Sequence, residues 1–412
     1  VSFLRAQWRD LVRMRTAVTL LAIIAGLSVI ATLLPQKALQ PQRAGDYIQA
    51  HQVLGPLWDR LGFFAVYESW PLLVFAALMY LSLSNCVWVR GRAFLRRWRR
   101  GLPRNPQFIG EGGSLVFHLS FFVLLAGVVW GKADGFTAFV NVLEGQSVVE
   151  ARASYDQVEE GLLVHEQDHR GFQVRVDSFD ASYYDDGRPR DFVSHVEVFD
   201  GGQRVDEKDI RVNQYLDREG VKFYQASYGW APYISVVSPS GRKLFDGPVL
   251  FFGDQTLSNG ILKVPGAGPP PEQLGALMFL VPDLRVADDG SLTAGTAEAR
   301  NPVLQLRVFR GDLQADRAQN VYELDTSRMQ QYWVGQAALG ESAVLPNGDR
   351  ISFDRLAQYT GLQVTYDPGL PIIWSAFALM LGGLLVRLYV RPLLEARQRR
   401  RAAATSRPGP GA

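Results

Sequence analysis

Residues 113–131 read GSLVFHLSFFVLLAGVVWG, a run without a single Lys, Arg, Asp or Glu. At 1.5 Å per residue a helix of this length covers roughly the 30 Å of a bilayer's hydrocarbon. His118 is its one ionisable side chain. An imidazole in hydrocarbon needs a proton acceptor, a donor or a metal. His118 is therefore either a functional group or a structural one, bonded to a backbone carbonyl or to a serine of a neighbouring helix.

Working outward, three more apolar runs have spanning length: TAVTLLAIIAGLSVIATLL (16–34), WPLLVFAALMYLSLSNCVWV (70–89) and LPIIWSAFALMLGGLLVRLYV (370–390). The expected fold class is an α+β membrane protein with four transmembrane helices, at about 16–34, 70–89, 113–131 and 370–390. An N-terminal membrane region (1–131) carries the first three, a large extracytoplasmic β-rich domain (132–369) lies between the third and fourth, and a basic cytoplasmic tail (391–412) follows. No small-residue cleavage site follows the first run, so it reads as a span rather than a removable signal.

The formal net charge of +2 hides a segregation that fixes orientation. Arg5, Arg9, Arg13 and Arg15 precede the first span, seven arginines lie between Arg90 and Arg104, and seven more lie between Arg387 and Arg407. Four spans with all three clusters inside satisfy the positive-inside rule and place both termini in the cytoplasm, as in a bacterial plasma membrane protein. Residues 132–370 hold 22 basic against 35 acidic residues, so this block is not a nucleic-acid-binding body.

The first outer loop contains LGPLWDRLGFFAVYESWP (54–71), an aromatic segment expected to lie at the interface, with His51 as a surface histidine beside it. After the second span, Phe94, Leu95, Trp98 and Leu102 recur at spacings of three and four among arginines, which predicts a short amphipathic helix on the inner leaflet. Counted from Gly113, His118 lies roughly 6–9 Å into the membrane from the inner side. Gly127 and Gly131 form a GxxxG pair half a turn away from it, so glycines and histidine face opposite ways.

The block 132–369 reads as β. Alternation is plain in FQVRVDSF (172–179) and FVSHVEVF (192–199), and again in YISVVS (233–238), with turn signals at DDGR (185–188) and DGG (200–202). PGAGPPP (265–271) is expected to break the domain as a turn-rich loop or linker, and the terminal RPGPGA to be disordered.

Several chemistries are excluded or weakened. One cysteine, Cys86, leaves no CxxC pair and no CxxCH haem-attachment site, so the chain is neither a thioredoxin-like reductase nor a c-type cytochrome. It reads as a packed thiol near the inner surface. HEQDH (165–169) matches the HExxH of zinc proteases, but that motif needs both histidines on one helical face. Between LLV and RGFQVRV it reads instead as an exposed charged hairpin turn, where replacing His165 and His169 costs little. His195, in an alternating strand, reads as a satisfied or surface histidine. No phosphate-binding glycine loop and no GxSxG nucleophile elbow occurs.

The order of features resembles the ResB (CcsB) family of System II cytochrome c biogenesis. The likeness is carried by ATLLPQ (31–36), LGFFAVYESWPLLVFAALMYLSLSNCVWVRG (61–91), FHLSFFVLLAGVVWG (117–131), FQVRVDSFDASYYDDGRPRDFVSHVEVFDGG (172–202), IRVNQYLDREGVKFYQASYG (210–229) and GLQVTYDPGLPIIW (361–374). Residues 260–340 carry no legible family pattern. The resemblance implies a subunit that, with a CcsA/ResC-type partner bearing a WWD motif absent here, carries haem b across the membrane. Covalent attachment to apocytochrome c CxxCH thiols follows, with a thioredoxin-like protein keeping those thiols reduced. Holocytochrome c synthase catalysis would be shared with or carried by the partner. His118 falls on the family's third-span histidine, an axial haem-iron ligand. Phe121, Phe122 and Leu125 are then either porphyrin contacts or ordinary packing residues. Two other readings compete: an outer sensor domain on membrane anchors, weakened by inner segments too short for an output domain, and a zinc protease using His165 and His169.

Overall fold

The computed structural model describes residues 14–37, 41–101, 105–184, 189–253, 256–286, 292–317 and 322–405. Arg5, Arg9, Arg13, Leu102, Arg104, the DDGR turn at 185–188 and the RPGPGA tail lie outside the described residues. The chain divides into two compact units, one made of residues up to Val128 together with those from Leu370, the other Val129–Gly369.

The first unit is helical: α1 (Met14–Leu33), α2 (Pro41–Ala50), α3 (Leu54–Arg60), α4 (Trp70–Arg99), α5 (Pro106–Asp134, whose last turn enters the second unit), α6 (Leu370–Leu385) and α7 (Arg391–Thr405). A single π-helical turn, Val386–Val390, joins the last two. Among the described residues four helical stretches are long and apolar enough to cross a membrane, and at most 17 % of the apolar window of any of them is buried. Apolar surface left uncovered on that scale is what a hydrocarbon solvent accommodates.

One expectation is corrected here. Phe94, Leu95 and Trp98 do not form a separate surface helix; they continue α4 without a break. Nothing between Val89 and Arg99 breaks a helix, and the stop comes at Gly101, whose φ of +63° suits a left-handed cap. Phe94 stacks on Phe108 of α5 at 4.4 Å instead of lying on lipid. The connection between α1 and α4 has its own small core. Phe64, Val66 and Ala44 are buried, and Tyr47 packs on Phe64 at 5.6 Å. Gln36, the last residue of ATLLPQ, donates to the carbonyls of Leu34 and Phe63 and accepts from the Val66 amide.

The second unit is all β. In chain order its strands are β1 (Phe136–Leu143), β2 (Ser147–Val149), β3 (Gln157–Glu160), β4 (Gln173–Tyr183), β5 (Pro189–Asp200), β6 (Gln203–Arg211), β7 (Leu216–Arg218), β8 (Val221–Val237) and β9 (Lys243–Pro248). There follow β10 (Phe252–Gly253), β11 (Ser258–Val264), β12 (Gln273–Val281), β13 (Leu284–Val286), β14 (Leu292–Ala294), β15 (Val303–Gly311), β16 (Met329–Ala338), β17 (Ser342–Val344) and β18 (Arg350–Tyr366). The central sheet runs β3-β1-β18-β8-β7, with β17 on β18 and β9 on β8. A second sheet runs β2-β4-β5-β6 and a third β10-β11-β12-β15-β16.

The antiparallel pair β8 and β18, 17 residues each, organises the unit. Against one end of the pair, Val174, Val176, Val196, Val198 and Ile210 of the second sheet pack on Val140, Phe223, Leu362 and Val364. Against the other end, Leu262, Met278, Leu280, Leu304 and Leu306 of the third sheet pack on Ile234, Val236, Ile351 and Phe353. Two sandwiches thus share two strands. Residues 260–340, silent as a family pattern, build most of the second sandwich. PGAGPPP is no linker: it connects β11 to β12, which pair in register from Val264↔Leu274. The DGG turn closes the β5–β6 hairpin at Asp200↔Gln203, with Gly201 and Gly202 at φ +55° and +80°, the two positive angles a type I′ turn requires.

Candidate functional site: the histidine of the third apolar helix

Helix α5 begins earlier than its apolar run. Asn105 caps it, its side-chain oxygen accepting the Phe108 amide at 2.8 Å, and Pro106 occupies the first turn. The helix has therefore turned three times before His118, and Glu111 in that segment pairs with Arg97 of α4 at 2.6 Å.

Two lines of contact flank the histidine. Leu115 lies against Gly91, and Phe122 meets Tyr80 edge-on at 5.9 Å, while the Tyr80 hydroxyl donates to the Phe121 carbonyl at 3.2 Å; all of these are contacts to α4. On the other flank, Gly113 and the Phe117 backbone meet Gly383 of α6 so closely that a side chain at Gly383 would collide with both. Helical geometry of about 100° per residue places His118 between these two lines. A close glycine contact joins Gly113 to Gly383; of the GxxxG pair, Gly127 is buried and Gly131 is held against the Asp367 side chain. The GG in LMLGGLLV is the signal from which it was legible.

His118 is half-buried. Its Nδ1 lies 2.6 Å from the Ser114 carbonyl oxygen, one turn back. A carbonyl only accepts, so Nδ1 carries the proton and Nε2 keeps its lone pair. Nε2 has no hydrogen-bond partner among the described residues. Phe117 stands perpendicular to the imidazole at 5.4 Å and packs edge-on against Phe121. Phe121 and Phe122 are thus engaged in packing within the unit, whereas Leu125 is 38 % exposed.

The other sequence candidates lie in the β unit. His165 is exposed, and His169 is not: its side chain is 4 % exposed. The segment is neither a hairpin nor an α-helix, because β3 and β4 belong to different sheets and only a 3-10 turn, Glu166–Asp168, separates the two histidines. Both histidine backbones are extended, so the pair does not share a helical face. The expected harmless turn is therefore half wrong, since the chain must dive inward to start β4 and carries His169 with it.

There His169 Nδ1 lies 2.7 Å from Glu150 and Nε2 3.3 Å from Glu160. Glu150, fully buried, also accepts from the Tyr155 hydroxyl at 3.1 Å and from the Arg170 and Gly171 amides. Arg152 pairs with Glu160 at 2.8 Å. Burial, reinforced by the Glu150 charge, pushes the Tyr155 phenol up, so it stays a donor. Every polar group in this cluster is matched, as a structural cluster demands. His195 is exposed and bonded between Asp209 at 2.7 Å and Asp180 at 3.1 Å. His51 stacks on Tyr47 at 4.2 Å on the surface.

Comparison with known proteins bears on the whole chain. It is 26 % identical to a cytochrome c biogenesis protein CcsB of Synechococcus sp. (strain JA-3-3Ab), over 91 % of this chain and 80 % of that one. A protein of the same name from Microcystis aeruginosa is 25 % identical over 91 % and 85 %, and one from Gloeobacter violaceus 26 % over 92 % and 83 %. Residues 14–111 and 108–393 match the family description ResB-like, which takes in all four apolar helices and both sandwiches, and the chain belongs to that family.

Proposed function

We propose that this chain serves cytochrome c biogenesis as the subunit that holds haem b in the membrane and, with a CcsA/ResC-type partner, passes it outward for attachment to the CxxCH thiols of apocytochrome c. The relatives' names support the process. The observation that carries the membrane step is the unpartnered Nε2 of His118, the one ionisable side chain of the apolar run 113–131.

Haem is cargo in this reading. Its iron accepts a neutral imidazole nitrogen as axial ligand. His118 fits that role: the Nδ1 bond to Ser114 fixes the tautomer and ring direction, as outer-sphere carbonyls do for metal-bound histidines, and makes Nε2 the better donor. Phe117, set across the imidazole, limits its tilt. Leu125, about two turns further along the same face of the helix and exposed, is the residue of the original trio left to touch a porphyrin. The arginine clusters support an orientation with the termini and the α4–α5 connection in the cytoplasm and the β unit outside. His118 then lies nearer the cytoplasmic side, where haem is received.

The deciding experiment is the absorption spectrum of the chain purified with its partner. A Soret band in the wild type that falls in His118→Ala, with the protein still folded and inserted, is the expected result. Full haem loading and normal c-type cytochromes in His118→Ala would refute the ligand role.

A further inference from the structure

Helix α5 ends on a loop from elsewhere in the chain. The last carbonyls of a helix have no partner within it. Here the Leu163 amide donates to the Ala133 carbonyl at 2.8 Å, and the Gly161 amide to the Gly135 carbonyl at 2.9 Å. Gly161 lies directly on the carbonyl oxygens of Lys132 and Ala133, so that any side chain there would collide with them. The segment 161–163 is thus fixed to the end of the helix at two points.

Leu162 finds almost no cover in the protein, and Leu163 is only half-covered. Leu162 is 97 % exposed, more than any other large apolar residue among those described, and Leu163 is 47 % exposed. The loop has no freedom to fold them away. Glu160 immediately before it and His169 just after it meet at 3.3 Å in the buried carboxylate cluster, which closes the loop at its root.

The level of the two attachment points identifies the partner. The apolar run of α5 ends at Gly131, after a half-exposed Trp130 and before Lys132, the residue types that mark a membrane interface. Ala133 lies about 3 Å further along the axis. Apolar side chains at this level reach the boundary between headgroups and acyl chains, which interfacial segments penetrate by about 5–10 Å. Water would leave an uncovered leucine pair at a position the fold holds rigidly.

We propose that Leu162 and Leu163 insert into the lipid interface on the β-domain side of the membrane, and that the Glu150–His169–Glu160 cluster positions the loop for insertion. The proposal rests on the reading of α5 as a membrane-spanning helix.

The test uses the full chain in phosphatidylcholine nanodiscs, in a Cys86→Ser background, with single cysteines carrying an environment-sensitive fluorophore. Leu162→Cys is the reporter. Val344→Cys, exposed on β17 and paired with the opposite end of β18, is the aqueous control, about 50 Å along the strand from Tyr366. Leu81→Cys, exposed within the apolar run of α4, is the control for spanning. The expected result is blue-shifted emission at 162, quenched several-fold more by a shallow nitroxide lipid than the 344 probe, with iodide showing the reverse order. A 162 probe as open to iodide as the 344 probe overturns the proposal, as does protection that appears only when a partner protein is added. If the 81 probe also escapes lipid quenching, the spanning reading fails instead. Leu162 touches so little protein that unfolding does not explain a negative result.

Discussion

The two nitrogens of His118 have different occupations, and that asymmetry separates a ligand from a structural residue. If the Ser114 contact were the purpose of the side chain, His118→Asn or Gln, able to hydrogen-bond locally, would preserve function. The ligand reading predicts that both fail, that imidazole added to His118→Ala partly restores haem in the purified complex, and that the loss of one hydrogen bond costs only about 1 kcal/mol of stability. A second residue-scale prediction concerns the β unit. His169→Ala takes one partner from the buried Glu150, which keeps the Tyr155 hydroxyl and two amides, and one from Glu160, which keeps Arg152, and should cost about 1–3 kcal/mol in denaturant or thermal unfolding of the purified protein. His165→Ala, on an exposed turn, should stay within about 0.5 kcal/mol. Equal effects of the two would mean that the cluster contributes no more than a surface turn. His118 was legible in the sequence because an ionisable group stands out in an apolar run. His169 was not, because its partners Glu150 and Glu160 come from segments with no common period, and only the fold brings them together.

At the scale of elements, the Gly113–Gly383 contact sets how closely α5 and α6 approach beside His118. Gly383→Leu should force the pair apart, at a cost of about 1–3 kcal/mol for overpacking, read as a lower unfolding temperature in detergent. A matched Gly382→Leu, at a position with open space around it, should change little. No difference between the two would show that the close approach is not required. The spans, the paired strands β4 and β5 and the end of β8 were readable because hydropathy and alternation are local signals. The continuity of α4 through its arginines was not, since a charged helix and a surface helix share one periodicity and only packing against Phe108 distinguishes them. The second sandwich escaped for another reason: β12 is buried along nearly its whole length and β16 shows little contrast between its faces, so neither carries a period of two.

For the whole molecule, the arrangement of charge makes the firmest prediction. Impermeant thiol labelling of single cysteines should reach residues 150–350 from the outside and residues 90–101 only from the inside. An outward arginine cluster would invert the scheme, because seven arginines in a short connection orient a chain strongly. The pairing of β1 with β18 carries a further consequence. Phe136 lies opposite Tyr366, some 230 residues later, so the first strand of the domain is neighbour to the last. A ribosome adding about 5–20 residues per second needs roughly 10–50 s to supply that neighbour. One edge of β1 is occupied early by β3, through Phe139↔Gln157 and the pairs beside it, while the other waits for nearly the whole domain to be made. Only three residues then separate the arriving strand from α6. During synthesis, therefore, the closing of the sheet is followed within a few seconds by the return of the chain to the membrane, and a chain cut short before Tyr359 reaches neither.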